Sequence, residues 1–224
     1  MRLLAVDTAT ERCSVALRLD GRVIERISDQ PRGAADLVLP MVESVLKEAG
    51  ARLADLDGIA YGRGPGAFTG VRIGVGVIQG LAFGAGLQTV GISNLAAVAQ
   101  QVARSGDRIL VCMDARMEQV YWSSFARDQG AEIVTALAPE RVDAPDSVTD
   151  GDFTVLAGTG FKAYASLLAR LSSDTRVVHE AALPKASDIA LLAEAEFRAG
   201  RAKPATEAEP VYIRDQVAHV KGGS

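Results

Sequence analysis

The sequence predicts an α/β protein of two lobes, each built on its own mixed sheet. Three observations carry that prediction. An apolar strand ending in aspartate occurs twice, as Leu3-Leu4-Ala5-Val6-Asp7 and as Ile109-Leu110-Val111-Cys112-Met113-Asp114. The two aspartates stand 107 positions apart, and each is followed four residues later by a glutamate, Glu11 and Glu118. A strand-like segment (13–19, then 120–125) and turn residues (Asp20-Gly21, then Asp128-Gln129-Gly130) come next in both copies. That is the pattern of an internal duplication.

Composition bounds the class. A chain of 224 residues, 48% hydrophobic and 23% charged, can bury a core as one domain or two small lobes. A net charge of −4 gives no general basic footprint, so independent grip on a nucleic-acid backbone is not implied. The N-terminus runs straight into strand-like sequence, with no visible secretory signal. The most apolar stretch, residues 73–87, contains Gln79 and falls short of the ~20 residues that span a bilayer, so no membrane association is expected. Cys13 and Cys112 are isolated thiols in strand contexts, expected to be buried and reduced in a cytoplasm.

In chain order, residues 2–8 read as a strand with a polar end, and 13–19 and 22–27 as two more joined at Asp20-Gly21. From 34 to 49, Leu37, Val38, Met41, Val42, Val45 and Leu46 recur at helical period, with Gly50 as the stop. Pro40 inside that run predicts a kink or a later helix start. A buried strand (56–61) leads into a glycine-rich turn and an apolar helix to Leu87, and a short strand (89–92) follows. Ser93-Asn94 can cap a helix over 95–104. Ser105-Gly106-Asp107-Arg108 is the linker, dividing a first lobe (1–105) from a second (106–224). The second lobe continues with a strand at 154–157, the turn Gly158-Thr159-Gly160, a helix to about Leu171 and another over 187–199. The polar tail from Pro204 either packs back on the first lobe or reaches a partner.

The turn Gly62 to Gly74 invites a phosphate-loop reading, because backbone N–H groups of such a turn can converge on an anion. It lacks the parts. No lysine occurs between Lys47 and Lys162, and no Asp or Glu from Gly58 through Gly106 is available for a ribose. The glycines recur at intervals of four instead: Gly70 and Gly74, then Gly76, Gly80 and Gly84. Such stripes share a helix face and invite close approach of another backbone. The alternatives are the protein's own sheet, a partner helix on the opposite face, or both.

Two lobes that each open with three hairpin-linked strands and continue with alternating helices and strands describe the actin/Hsp70/sugar-kinase architecture. Within that frame Val6-Asp7-Thr8-Ala9-Thr10-Glu11, the block Gly62 to Gly74, Met113-Asp114-Ala115-Arg116-Met117-Glu118-Gln119-Val120-Tyr121 and Glu209-Pro210-Val211-Tyr212-Ile213-Arg214-Asp215 resemble the bacterial TsaB family, in order and spacing across almost the whole chain. The resemblance implies a subunit of the machinery that makes N6-threonylcarbamoyladenosine next to the anticodon of tRNAs reading codons that begin with A. TsaD performs the transfer there; a TsaB-like chain is its non-catalytic paralogue, pairing with TsaD, forming homodimers alone and meeting tRNA only through the complex. TsaE, an ATPase, joins the pair.

The residues lean the same way. TsaD-like proteins carry a His-x-x-x-His metal pair on the helix before the glycine block, whereas the only histidines here are His179 and His219. Many TsaB-like sequences place a His just before that helix; this one reads Pro31-Arg32-Gly33-Ala34-Ala35. No metal and no cofactor are expected. An actin-like cleft wants glycine after the aspartate so that backbone can approach phosphates. This chain offers Asp7, Thr8 and Thr10 in the first lobe and Asp114, Arg116, Gly158 and Gly160 in the second, a degenerate nucleotide cleft in which Arg116 either fills the phosphate space or pairs with Asp7 or Asp114, a structural ion pair across the cleft being preferred. Asp7 and Asp114 as paired acid–base carboxylates are the alternative to strand-end aspartates satisfied by backbone N–H groups, and the second reading is preferred. Trp122 and Tyr121 read as lobe core. An actin-like ATPase or small-molecule kinase, and a peptidase, are the competing functions; the second lacks any Gly-x-Ser-x-Gly or His-Glu-x-x-His. The two helices around 37–49 and 71–85 offer more apolar surface than one sheet needs. Resemblance places the homodimer and TsaD contacts on them, and Leu37, Met41, Val45, Arg72, Val75, Ile78, Gln79 and Ala82 are the candidate contacts by helical period.

Overall fold

A computed structural model describes residues 1–30 and 33–214; Pro31, Arg32, Asp215 and His219, singled out above, lie outside the described residues. The first lobe runs β1 (Arg2–Asp7), β2 (Cys13–Leu19), β3 (Arg22–Ser28), α1 (Ala34–Ala49), β4 (Gly58–Gly62), α2 (Phe68–Ala85), β5 (Gln88–Ile92) and α3 (Asn94–Val102). The second runs β6 (Arg108–Asp114), β7 (Val120–Ala126), β8 (Thr135–Ala136), β9 (Arg141–Asp143), β10 (Val155–Ala157), α4 (Thr159–Ala163), α5 (Ala165–Leu171) and β11 (Val177–His179). Helix α6 (Ala186–Arg198) and the two-residue β12 (Lys203–Pro204) end the described elements.

The duplication is visible in the strand order. One sheet runs β12-β5-β4-β1-β2-β3, the other β11-β10-β6-β7-β8, with β9 also on β7. β1 pairs antiparallel with β2 and parallel with β4, and β6 pairs antiparallel with β7 and parallel with β10. This is the two-lobed actin/Hsp70/sugar-kinase-like architecture.

Each lobe lends its last helix to the other. Helix α3, which follows β5, packs on β6, β7 and β10; α6, which follows β11, packs on β1, β2, β4 and β5. The two helices also pack on each other, so the inner faces of both sheets share one core, with Leu95, Val98, Ile189 and Ala193 fully buried between Leu3, Ala5, Ile109 and Val111. Helix α6, placed by sequence in the second lobe, thus belongs spatially to the first, and β12 pairs with β5 beyond it. The outer faces carry α1 and α2 on the first sheet, and α4 and α5 on the second.

Local differences from the sequence reading have physical reasons. Helix α1 runs through Pro40 rather than starting there; Pro40 and Asp36, whose carbonyl would have met the missing N–H, are both exposed, so water can serve it. The single helix expected to Leu171 breaks at Tyr164, whose backbone is extended (φ −126°). Ser93 caps α3 as expected, accepting from the Ala96 N–H at 3.1 Å.

Helix α2 carries two kinds of glycine. A Cβ at Gly70 would lie 2.1 Å from the Thr8 carbonyl oxygen, and one at Gly74 2.7 Å from the Thr8 hydroxyl, which itself donates to the Gly70 carbonyl at 2.7 Å. This stripe exists so that α2 can press on the chain leaving β1. At Gly76, Gly80 and Gly84 a Cβ would meet nothing within 4 Å. The two stripes therefore predict opposite responses to alanine. Gly70→Ala should destabilise by about 2 kcal/mol through overpacking against backbone, whereas Gly80→Ala should stabilise by up to ~1 kcal/mol through helix propensity. Urea unfolding of the two variants checks this.

Candidate functional site

Two features compete for the functional role: the cleft between the lobes and the outer face of α1 and α2. The cleft is a cavity of about 760 Å³ at the carboxyl ends of β1, β4, β6 and β10, where open α/β sheets place their ligands. Thr10, Glu11 and Phe68 line it from the first lobe, Asp114, Arg116 and Lys162 from the second, and the tail contributes residues 211–214.

The first-lobe side is filled by the protein's own atoms. The Ala67 N–H at the start of α2, one of the donors an anion could use there, is given to the Ala9 carbonyl at 2.7 Å. A Cβ at Gly66 would lie 2.3 Å from that same oxygen, so the loop glycine serves internal packing. Asp7 does not reach the cavity. It is buried behind it, its Oδ1 accepting from the Asn94 amide at 2.6 Å and, more weakly, from the Ala9 N–H at 3.4 Å, while Oδ2 has no partner among the described residues. Asn94 also accepts the Gly64 N–H at 2.8 Å, tying Asp7 to the glycine loop. Burial pushes the Asp7 carboxyl up to about 6, with the Asn94 bond opposing. Thr8 is buried under α2.

On the second-lobe side Arg116 pairs with Asp114, one of its two expected partners, at 3.0 Å; that aspartate belongs to its own turn, so the pair does not cross the cleft to Asp7. Asp114 also accepts the Arg116 N–H at 2.9 Å and the Tyr164 hydroxyl at 3.1 Å. Arg116, Met117 and Glu118 are three successive non-glycine residues with φ of 61°, 54° and 56°, a left-handed turn costing about 1–2 kcal/mol per residue. Gly158 and Gly160 do not line the cavity; both lie against the Cys112 carbonyl, where a Cβ would stand at 2.3 and 2.9 Å, and so set α4 onto β6. Both thiols are buried, and burial drives Cys13 up to about 11 and Cys112 higher still. Trp122 is core, donating to Asp143 at 2.9 Å, while Tyr121 lies at the cavity wall. His179 is exposed on β11. Among the described residues no group of three or more His, Cys, Asp or Glu is gathered.

The outer helices look different. Val45, Val75, Ile78 and Ala82 point into the first lobe's core and are withdrawn as surface candidates, because helical period alone does not say which face turns inward. Leu37 and Met41 are half-buried at the core's edge, and Gln79 is engaged, donating to the Ala208 carbonyl at 2.7 Å. Arg72 is exposed and stacked, its guanidinium carbon 3.2 Å from the Phe68 ring centre and 4.8 Å from that of Tyr212. Helix α2 is apolar enough to resemble a membrane span, yet only 28% of it is buried inside the protein. The open stripe Gly76, Gly80 and Gly84 lies along its free face, Phe83 is 76% exposed, and Leu39 on α1 is 50% exposed. The sequence reading missed Asn94, Phe68, Lys162 and Tyr212 as site residues. Asn94 was legible only as a helix cap, and the other three carry no periodic signal.

The raised Asp7 carboxyl has a pH signature. A group held protonated in the fold up to about 6, against 3.8 free, contributes fully below pH 4, and that contribution is lost as pH rises to 6. Ionised, it costs on the order of 3 kcal/mol at pH 7.5. Asp7→Asn should therefore raise stability at pH 7.5 by about 1–3 kcal/mol and change it little at pH 4. Asp188, also raised to about 6 by burial, leaves a residual slope in the variant. Thermal melts across pH 4–7.5 check both.

A family model described as "TsaD: tRNA N6-adenosine threonylcarbamoyltransferase" matches residues 31–222. The "tRNA threonylcarbamoyladenosine biosynthesis protein TsaB" of Escherichia coli K12 is 42% identical over 99% of this chain and 98% of its own length. The protein of the same name from Haemophilus influenzae is 36% identical, covering 97% and 95%. The solved structure of YeaZ from Pseudomonas aeruginosa superimposes with a TM-score of 0.84 at 40% identity, covering 94% of this chain and 99% of that one. With such relatives matched end to end and the TsaD-like model spanning both lobes, the chain belongs to the TsaB family.

Proposed function

We propose that this chain serves tRNA threonylcarbamoyladenosine biosynthesis as a non-catalytic subunit, working through the outer face of α2 rather than through its cleft. The observation that carries the reading is the open stripe at Gly76, Gly80 and Gly84 on a helix that is apolar and mostly unburied. Three glycines in a helix interior cost roughly 1 kcal/mol each relative to alanine, and no described residue packs against them to compensate. A second helix lying close along that face would, since backbones approach most closely where no Cβ intervenes. The exposed Phe83 ring and the Arg72–Phe68–Tyr212 stack supply apolar and cation–π anchors beside it.

The partner in this reading is a TsaD-like catalytic subunit, with a second copy of this chain competing for the same surface and a TsaE-like ATPase joining the pair. The family membership and the relatives' printed role in threonylcarbamoyladenosine biosynthesis support that choice. The cleft supports it from the other side: the Gly64 and Ala67 N–H groups of the glycine loop are bonded to Asn94 and Ala9 within the protein, and Asp7 stands behind the cavity wall.

Phe83→Asp and Gly80→Leu should leave the fold intact, because both positions face open space. They should weaken association with the cognate TsaD-like subunit at least tenfold, read by light scattering on size-exclusion fractions. Undiminished association of both variants, or ATP turnover by the chain alone, would overturn the reading.

A further inference from the structure

The segment after β12 does more than end the chain. It is fastened to the first lobe by four bonds: the Gln79 amide donates to the Ala208 carbonyl at 2.7 Å, the Glu209 N–H to the Tyr61 hydroxyl at 3.1 Å, that hydroxyl to the Glu209 carbonyl at 3.4 Å, and the Val211 N–H to the Arg63 carbonyl at 2.8 Å. Tyr212 then stacks beside Phe68 with ring centres 5.9 Å apart, and Arg72 sits over both. Two residues on, the chain has crossed the cleft. The Arg214 guanidinium donates to the Ala115 carbonyl at 3.0 Å and reaches the Met117 sulfur at 3.5 Å.

What it grips is the least relaxed backbone in the described chain, the left-handed turn at Arg116, Met117 and Glu118. That turn closes on itself through Ala115 N–H to Gln119 carbonyl at 2.9 Å and Gln119 N–H to Arg116 carbonyl at 3.1 Å. Strained backbone persists where its surroundings over-determine it, and a charged donor on a carbonyl is among the stronger bonds available. The lobes themselves cannot swing freely, since α3 and α6 lock them at their base. A tie at the mouth therefore acts on the turn, which forms one wall of the cavity.

We propose that residues 208–214 are a latch, anchored on β4 and α2, that holds the 115–119 turn in its left-handed form and so sets the shape of the cleft. Its anchor includes Arg72 on α2, so, granted the docking reading above, a partner on that helix would be felt in the cleft through Tyr212. The latch itself requires no partner.

Hydrogen exchange on the isolated full chain tests it. Arg214→Ala should speed exchange in 115–120 about tenfold while leaving the amides of β1, β4 and α3 unchanged. Tyr212→Ala, which removes the stack on Phe68 and Arg72 that sits between the four bonds and Arg214 and leaves the turn itself untouched, should accelerate the same peptide. Glu118→Gly, which makes one left-handed position cost-free, should restore protection in the Arg214→Ala background. Unchanged exchange in 115–120 for both Arg214→Ala and Tyr212→Ala, or acceleration spread equally over the whole chain, would overturn the latch. Neither result depends on whether a TsaD-like subunit binds α2.

Discussion

The reciprocal exchange of α3 and α6 between the lobes is the constraint from which the rest follows. Each sheet is covered on its inner face by the helix that the other sheet's chain supplies. Neither lobe can bury its inner face alone, and the two sheets are held at a fixed spacing by Leu95, Val98, Ile189 and Ala193. The strand ends carrying Asp7 and Asp114 are thereby brought to opposite sides of one cavity. The aspartate of the first lobe is withdrawn behind the wall and held by Asn94, and the Ala67 N–H above it is given to the Ala9 carbonyl.

That commitment explains the glycine block. Gly66 and Gly70 yield space to the backbone of Ala9 and Thr8, and Gly74 to the Thr8 side chain, so the feature that looks most like a phosphate loop in sequence is a packing device in the fold. The same helix then presents Gly76, Gly80 and Gly84 outward. One helix thus has a closed glycine face that builds the lobe and an open one that no described residue packs against. Function is argued from the second because stability accounts for the first.

Much of this was legible beforehand. The repeated strand-to-Asp pattern announced two sheets sharing a central order of two parallel strands, the Asp-ended strand and its antiparallel hairpin partner, and the periodicities placed the longer helices to within a few residues. Other features were not. Strands of two or three residues such as β8, β9, β11 and β12 are too short to show alternation. The return of α6 to the first sheet is a long-range choice that no local pattern encodes. Val45, Val75, Ile78 and Ala82 satisfied the helical period as well as any surface residue, because a helix apolar nearly all round does not announce its inner face. Asn94 bridges Asp7 and Gly64 across 87 and 30 positions of sequence, and it reads as a cap until the fold brings all three together.

The central claim is that the outer helix, and not the cleft, carries the work. The most direct measurement is tRNA threonylcarbamoyladenosine formation in a reconstituted system, comparing a cleft variant, Lys162→Glu, with the surface variant Phe83→Asp at matched stability. Lys162 lines the cavity and Phe83 stands on open helix, so each change reverses the character of one feature only. Full modification with Lys162→Glu and its loss with Phe83→Asp is the predicted result. Loss with Lys162→Glu and full modification with Phe83→Asp would contradict the account and return the function to the cleft.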